Sequence, residues 1–233
     1  MKKIVVGLMA LLLMPLVTLA TEVDIASADM SIDLPDDWYI FTRENIENNA
    51  DLEELGLTYD FMKDMMDSND MYLDAFNEEE EFIISILEVS DVGNMNDYFD
   101  SEVEDLAKEI QEDIGSDIAE IYDNGYKFIY FEYMDAGYYI INYYTIVDDR
   151  AYTFTFQKET EFTEDEKDSY KKMVDSVKFD KYKPEDKSKE TVIVSVGIVL
   201  VIVLGAAALI VSKVNNNNNN KKEDSKNNSK ENV

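Results

Sequence analysis

Four strand-like runs follow one another between Asp117 and Gln157, and they constrain the fold more than any other part of the chain. They read "DIAEIY" (Asp117–Tyr122), "YKFIYFEYM" (Tyr126–Met134), "YYIINYYTIV" (Tyr138–Val147) and "AYTFTFQ" (Ala151–Gln157). Each is rich in β-branched and aromatic residues, which fit a pleated surface. The joints are "DNG" (Asp123–Gly125), "DAG" (Asp135–Gly137) and "DDR" (Asp148–Arg150), built from residues that tolerate positive φ. Strands joined this tightly run antiparallel, so the segment predicts a meander. It holds most of the 15 tyrosines. An apolar ring with a polar tip suits a sheet that has one wet face.

The flanking segments supply the rest of a domain. Met30, Ile32 and Leu34 alternate as a strand does. "LPDDW" (Leu34–Trp38) reads as a turn, and Trp38 to Phe41 as a second short strand with a half-buried tryptophan. "DLEELGLTYDFMKDMMDSND" is helical, with Thr58 as N-cap and Phe61, Met62, Met65 and Met66 at helical spacing. Two strands, "MYLDAF" and "EFIISILEV", follow around a charged hairpin loop placed at Asn77 to Glu81. In "NDYFDSEVEDLAKEIQEDI" the positions Phe99, Val103, Leu106, Ile110 and Ile114 form one apolar stripe. After the meander, Thr163 and Glu166 make a capping box for a last helix whose stripe is Tyr170, Met173, Val174 and Val177. Helices alternate with hairpins rather than with single parallel strands. The expected class is α+β, an antiparallel sheet with helices packed on its faces.

The wording of several of these pieces resembles the PsbP-like family: "SIDLPDDW" (Ser31–Trp38), "GLTYDFM…MYLDAF" (Gly56–Phe76), "YYTIVDDRAYTFTF" (Tyr143–Phe156) and "MVDSVKF" (Met173–Phe179). The resemblance covers residues 29–182 and implies an α-β-α sandwich. It implies no activity and no site residues. The plant namesake is an accessory protein of photosystem II that helps to retain calcium and chloride, and a eukaryotic relative of the fold binds a small GTPase. Bacterial members of the family include lipoproteins, whereas this chain has no cysteine to lipidate.

Two apolar segments bracket the domain. "MKKIVVGLMALLLMPLVTLA" has the layout of a secretory signal peptide (1–20), with cleavage after Ala20 preferred to cleavage after Ala28. "TVIVSVGIVLVIVLGAAALIVS" (191–212) has 22 residues and no charge, enough for a transmembrane helix. Lysines such as Lys213, Lys221 and Lys222 follow it and place that end in the cytoplasm. The expected order is therefore signal peptide, extracytoplasmic domain (29–182), polar linker (183–190), membrane span (191–212) and a disordered tail (213–233). The chain is expected at the cell membrane, single-pass, with its N-terminal domain outside.

Charge and composition exclude more chemistry than they propose. The formal net charge is −30, from 51 acidic and 21 basic residues, and the stretch from Thr21 to Gly125 alone carries 33 acidic and 3 basic residues. That opposes binding to nucleic acid and favours cationic partners or plain solubility. There is no histidine and no cysteine, which removes Ser-His-Asp triads, Cys-His pairs and ordinary zinc sites. Ser169 and Lys172 match Ser-x-x-Lys, but no Ser-Asp-Asn or Lys-Thr-Gly partner motif occurs, so a solvated helix face is expected. Carboxylate pairs for glycoside hydrolysis carry no specificity in so acidic a chain. Calcium binding, weak if present, would draw on "DLPDDW", "NEEEE" or "MKDMMDSNDMYLD". Met62, Met65, Met66 and Met71 are read as core filler rather than copper ligands. No catalytic residue, no cofactor-binding residue and no defined metal ligand is assigned. The functional expectation is a non-enzymatic, membrane-anchored binding or scaffold module with a protein partner at the cell surface. The alternatives are a cation-dependent surface domain and a hydrolase that works with carboxylates alone.

Overall fold

A computed structural model describes residues 20–182. Nearly all of the expected signal peptide, and the whole of the expected linker, membrane span and tail, lie outside the described residues. No helix among the described residues is long and apolar enough to cross a membrane.

The fold is α+β, built on two antiparallel sheets. The strands are β1 (Ala20–Ile25), β2 (Met30–Pro35), β3 (Tyr39–Thr42), β4 (Met71–Phe76), β5 (Glu81–Glu88), β6 (Ile118–Asp123), β7 (Lys127–Asp135), β8 (Tyr138–Val147), β9 (Arg150–Lys158) and β10 (Lys178–Phe179). The helices are α1 (Asp51–Leu55), α2 (Tyr59–Ser68), α3 (Asp100–Ile114) and α4 (Glu164–Asp175). The large sheet runs β3-β4-β5-β9-β8-β7-β6 and the small one β1-β2-β10.

The meander is β6 to β9, antiparallel throughout. Its two tight turns place Ala136 and Gly137, then Asp148 and Asp149, at positive φ. That is the backbone whose twist matches the flanking strands. Asp149 also anchors the loop after β5, where its carboxylate accepts from the Val92 and Gly93 amides at 2.8 and 2.6 Å. β5 is an interior strand, flanked by β4 and β9, as an apolar run on both faces predicts.

The register sorts the side chains of the large sheet between two faces. Leu73, Ala75, Phe82, Ile84, Ile86, Phe128, Ile141, Tyr143, Phe154 and Phe156 point to the first face. There they form one core with Tyr170, Met173, Val174 and Val177 of α4 and with Ile25, Met30, Ile32 and Leu34 of the small sheet. The second face carries two separate apolar clusters. Phe41, Phe76 and Ile83 pack with α1 and α2. Ile129, Phe131, Tyr144 and Ile146 pack with α3.

Several local expectations change. The helix after residue 50 is two helices, because Gly56 ends α1 at φ 69 and Thr58 then caps α2 by accepting from the Phe61 amide. Trp38 is buried rather than half-buried and sits in the turn before β3. Phe99 leaves the stripe of α3. Its backbone is extended (φ −66, ψ 149), its amide donates to Glu102, and its ring is 67% exposed. Val103, Ala107 and Ile110 make the buried stripe instead. Two strands were not foreseen. β1 pairs along the whole of β2, and β10 pairs with β2 through Lys178 and Phe179. The structured residues thus reach back beyond Asp29. The Tyr152 hydroxyl donates to the Ala28 carbonyl at 3.0 Å, and Arg150 meets Asp29 at 3.3 Å, which ties this N-terminal piece to β9.

Candidate functional site

Between the two apolar clusters of the second face runs a polar seam. Ser85 stands opposite Thr153, Thr155 opposite Asn142, and Glu81 opposite Gln157. Asp74, opposite Ile83, is the diagonal neighbour of both Glu81 and Ser85. All seven polar side chains are buried. The alternation in "YTFTFQK" and "YYIINYYT" suggested that such a face is wet. It is buried, between the cluster packed with α1 and α2 and the cluster packed with α3.

Most of the seam is paired. The Thr155 hydroxyl donates to Asn142 Oδ1 at 2.6 Å, and Gln157 Nε2 donates to Glu81 Oε2 at 3.0 Å. The exceptions lie together: no amide, hydroxyl or cationic group donates to either oxygen of Asp74 or to Oε1 of Glu81, and Oγ of Ser85 has no partner. Asp74 is fully buried and Glu81 is 3% exposed. The two carboxyls stand within hydrogen-bonding reach of each other. Two ionised carboxylates only accept, so the contact needs one shared proton. Burial pushes Asp74 well above its ordinary range, and the neighbouring Glu81 charge pushes it further. Burial likewise raises Glu81, to about 7, against the lowering effect of the Gln157 and Asp74 hydrogen bonds. The proton therefore sits on Asp74, which donates to Glu81 at neutral pH.

Glu81 is also where the seam opens to solvent. A cleft of about 400 Å³ lies at this end of the central strands, lined by Glu78, Glu79, Glu80, Glu81, Tyr138, Gln157, Lys158, Glu159 and Thr160. The expected hairpin loop from Asn77 to Glu81 is shorter by one residue. Glu81 is the first residue of β5, and only Asn77 to Glu80 form the loop. Asn77 organises that loop by accepting from the amides of Glu79 and Glu80 at 2.8 and 3.0 Å. Glu80 points to the first face, where the Tyr170 hydroxyl donates to it. Burial holds Glu80 above its ordinary value in spite of that bond, and Glu166 adds to the push. Lys158 is the one cation of the lining, and it is paired with Glu166. Tyr138 is held protonated by burial and by the charges of Glu159 and Glu81.

The sequence placed its acidic clusters correctly but not their meeting point. Asp74 ends "MKDMMDSNDMYLD" and Glu81 ends "NEEEE", and the β4–β5 hairpin brings those two ends together. The signal was present in "MYLDAF", where a charge interrupts a buried run. No group of three or more acidic side chains among the described residues is placed to hold a metal ion. Ser169 is exposed and donates to the Asp165 carbonyl at 3.0 Å, and Lys172 is exposed as well. Met62, Met65, Met66 and Met71 are all buried beneath α1 and α2.

No family model and no curated protein matches the chain. In shape it is similar to cyanobacterial PsbP (CyanoP) from Synechocystis, with 12% identity and a TM-score of 0.41 over 70% of this chain and 94% of that one. It is similar to a protein from Bacteroides thetaiotaomicron at 14% identity and a TM-score of 0.38, where it spans 65% of this chain and 45% of that one. It is also similar to the Ran-binding protein Mog1p of Saccharomyces cerevisiae, at 11% identity and a TM-score of 0.35 over 70% and 96% of the two chains. At these values nothing about the chemistry of this chain is taken from them.

Proposed function

We propose that this chain is a non-enzymatic binding or scaffold module, held at the outer face of a cell membrane by the 191–212 segment. The acidic cleft would be its binding surface and a protein at the cell surface its partner. The observation that carries this reading is the cleft itself. Five glutamates surround it, and one of them, Glu81, is buried. Such a surface offers charge and acceptors to a ligand. A chain without histidine or cysteine supplies none of the common nucleophile–base pairs. Its net charge of −30 argues against nucleic acid. Calcium enters this reading as a weak, diffuse counter-ion of the acidic first half.

A second reading, a hydrolase using carboxylates alone, is favoured by one observation. The cleft joins Glu80 and Glu81, both held above their ordinary values by burial. Paired acids with raised values are what general acid–base work requires. One assay separates the two. The full-length chain in neutral detergent is incubated with panels of chromogenic esters, glycosides and peptides, with Glu81→Gln as the control. The binding module turns over none of them. Turnover that disappears in E81Q would overturn the proposal in favour of the hydrolase.

A further inference from the structure

We infer that β6 is a docking edge, which takes an extended, basic segment of a partner protein as the next strand of the large sheet. This surface is separate from the cleft. β6 stands three strands from β9, which bears Gln157, and three strands span roughly 14 Å at about 4.8 Å each. An edge strand leaves a row of backbone amides and carbonyls without a neighbour, and proteins usually guard it with a lysine, a proline, a bulge or a covering loop. The two edges of the large sheet differ in this respect. At β3 the following loop closes in. Asn45 and Asn49 donate to the Ile40 carbonyl at 3.0 and 3.1 Å, and the Thr42 amide donates to Asn45 at 2.8 Å. At β6 such bonds stop at the first residue, where Ser116 Oγ accepts from the Ile118 amide at 3.1 Å. From Ala119 to Tyr122 no side chain among the described residues bonds to the backbone, and β7 is the only strand among them that pairs with β6. The strand runs in unbroken register with β7 from Ile118 to Asp123 and contains no lysine, proline or glycine.

The side chains along this edge define what fits beside it. On the first face Ile118 is 42% exposed, and Met134 of β7, two residues beyond the Glu132 that Ile118 opposes, is 60% exposed. Glu120, next on the same face, is exposed as well. Lys171 of α4 stands over the Tyr122 ring at 4.9 Å, so the acidic part of the edge is its first half. On the second face Ala119 and Ile121 are half-buried against α3, a helix with seven acidic residues and one lysine. Asp117 precedes the strand and Asp123 ends it. Neighbours across a strand pair stabilise it when apolar meets apolar and charge meets opposite charge. The complementary segment therefore sets an apolar side chain beside Ile118, a lysine or arginine beside Glu120, and small residues on the side of α3. An acidic segment would be repelled by Glu120 and α3. A second copy of this chain would bring together two such edges, each on a chain of net charge −30. In a strand added this way the main-chain bonds supply affinity and the alternate side chains supply selectivity.

The test titrates the full-length chain in neutral detergent and follows backbone amide shifts and hydrogen exchange. The probe is a peptide, Val-Thr-Lys-Thr-Val-Thr-Lys, capped at both ends. One control carries glutamate at both lysine positions, and two others carry N-methyl groups on one or the other alternating set of amides. The expected result is saturable shifts between Ile118 and Tyr122, with slower exchange of alternate amides there. N-methylation of one set should abolish binding and that of the other set should spare it, since an added strand bonds to its neighbour through every second residue. The glutamate control should bind about tenfold more weakly, and Glu120→Lys, an exposed change, should reverse that preference. Should E120K not fold, the two N-methylated peptides decide. No binding, equal loss from both N-methylated peptides, equal affinity for the lysine and glutamate peptides, or shifts at Glu81 and Gln157 in place of β6 would overturn the inference. Protection of β6 that grows with protein concentration in the absence of peptide would overturn it in favour of a second copy. None of these outcomes decides whether the chain is an enzyme, which the turnover assay does.

Discussion

A glutamate that is 3% exposed, next to a fully buried aspartate, ionises only at a cost to the fold. The folded chain keeps the Glu81 proton to about pH 7, while the unfolded chain releases it near 4.5. More protons are bound when folded, so stability is fully present below about pH 4.5 and is lost progressively as the pH rises toward 7. Glu81→Gln removes that loss, since the amide is neutral at every pH and can still accept from Gln157. The expected gain is close to nothing at pH 4 and roughly 3 kcal/mol at pH 8. Denaturant melts of wild type and E81Q across this range measure it, and an equal gain at both pH values would contradict it. The position of Asp74 within "MYLDAF" was open to notice in the sequence. Its partner was not, because Glu81 stands at the boundary between a charged loop and a strand, where the pattern does not say whether it is buried.

At the scale of elements, the pieces that announce themselves by local chemistry were legible. Tight turns marked the meander, a capping box marked α4, and an apolar run marked the interior strand β5. The Thr163 hydroxyl accepts from the Glu166 amide at 3.3 Å, and the Glu166 carboxylate accepts from the Thr163 amide at 2.6 Å. Thr163→Ala should therefore cost about 1 kcal/mol of stability, read from the shift in urea midpoint at constant m-value. Pieces fixed by distant partners were not legible. β10 is two residues long and exists only because Ser31 and Met30 lie beside it. β1 alternates weakly, and its burial is concentrated at Ile25. β1 also bears on which of the two expected cleavage sites would be used. Cleavage after Ala28 would remove the whole strand with Ile25 and Ala28, both fully buried. Mature protein recovered from cells is expected to begin at Thr21, and N-terminal sequencing decides it. A mature N-terminus at Asp29 would show that the small sheet forms without β1.

Across the whole molecule, charge and core are separated. The core of the first face is aromatic and continuous, and the two most deeply buried acids, Asp74 and Glu81, lie on the second face. A net charge of −30 makes self-repulsion a general load on the fold. Sodium chloride between about 10 and 300 mM should therefore raise the melting temperature by several degrees through screening. A larger rise with calcium at matched ionic strength would favour the cation-dependent reading. No pattern of the sequence alone could show that the polar face of the sheet is covered, since "TFTFQ" reads the same on a wet strand and a buried one. The cleft depends on that covered seam and on the proton within it. The most direct test is a carbon-13 titration of the side-chain carboxyls of the full-length chain from pH 3 to pH 9. Asp74 and Glu81 are expected to be still titrating at and above pH 7, linked to each other. If both complete their titration below pH 5, the pair is solvated, and the buried seam and the cleft built on it are contradicted.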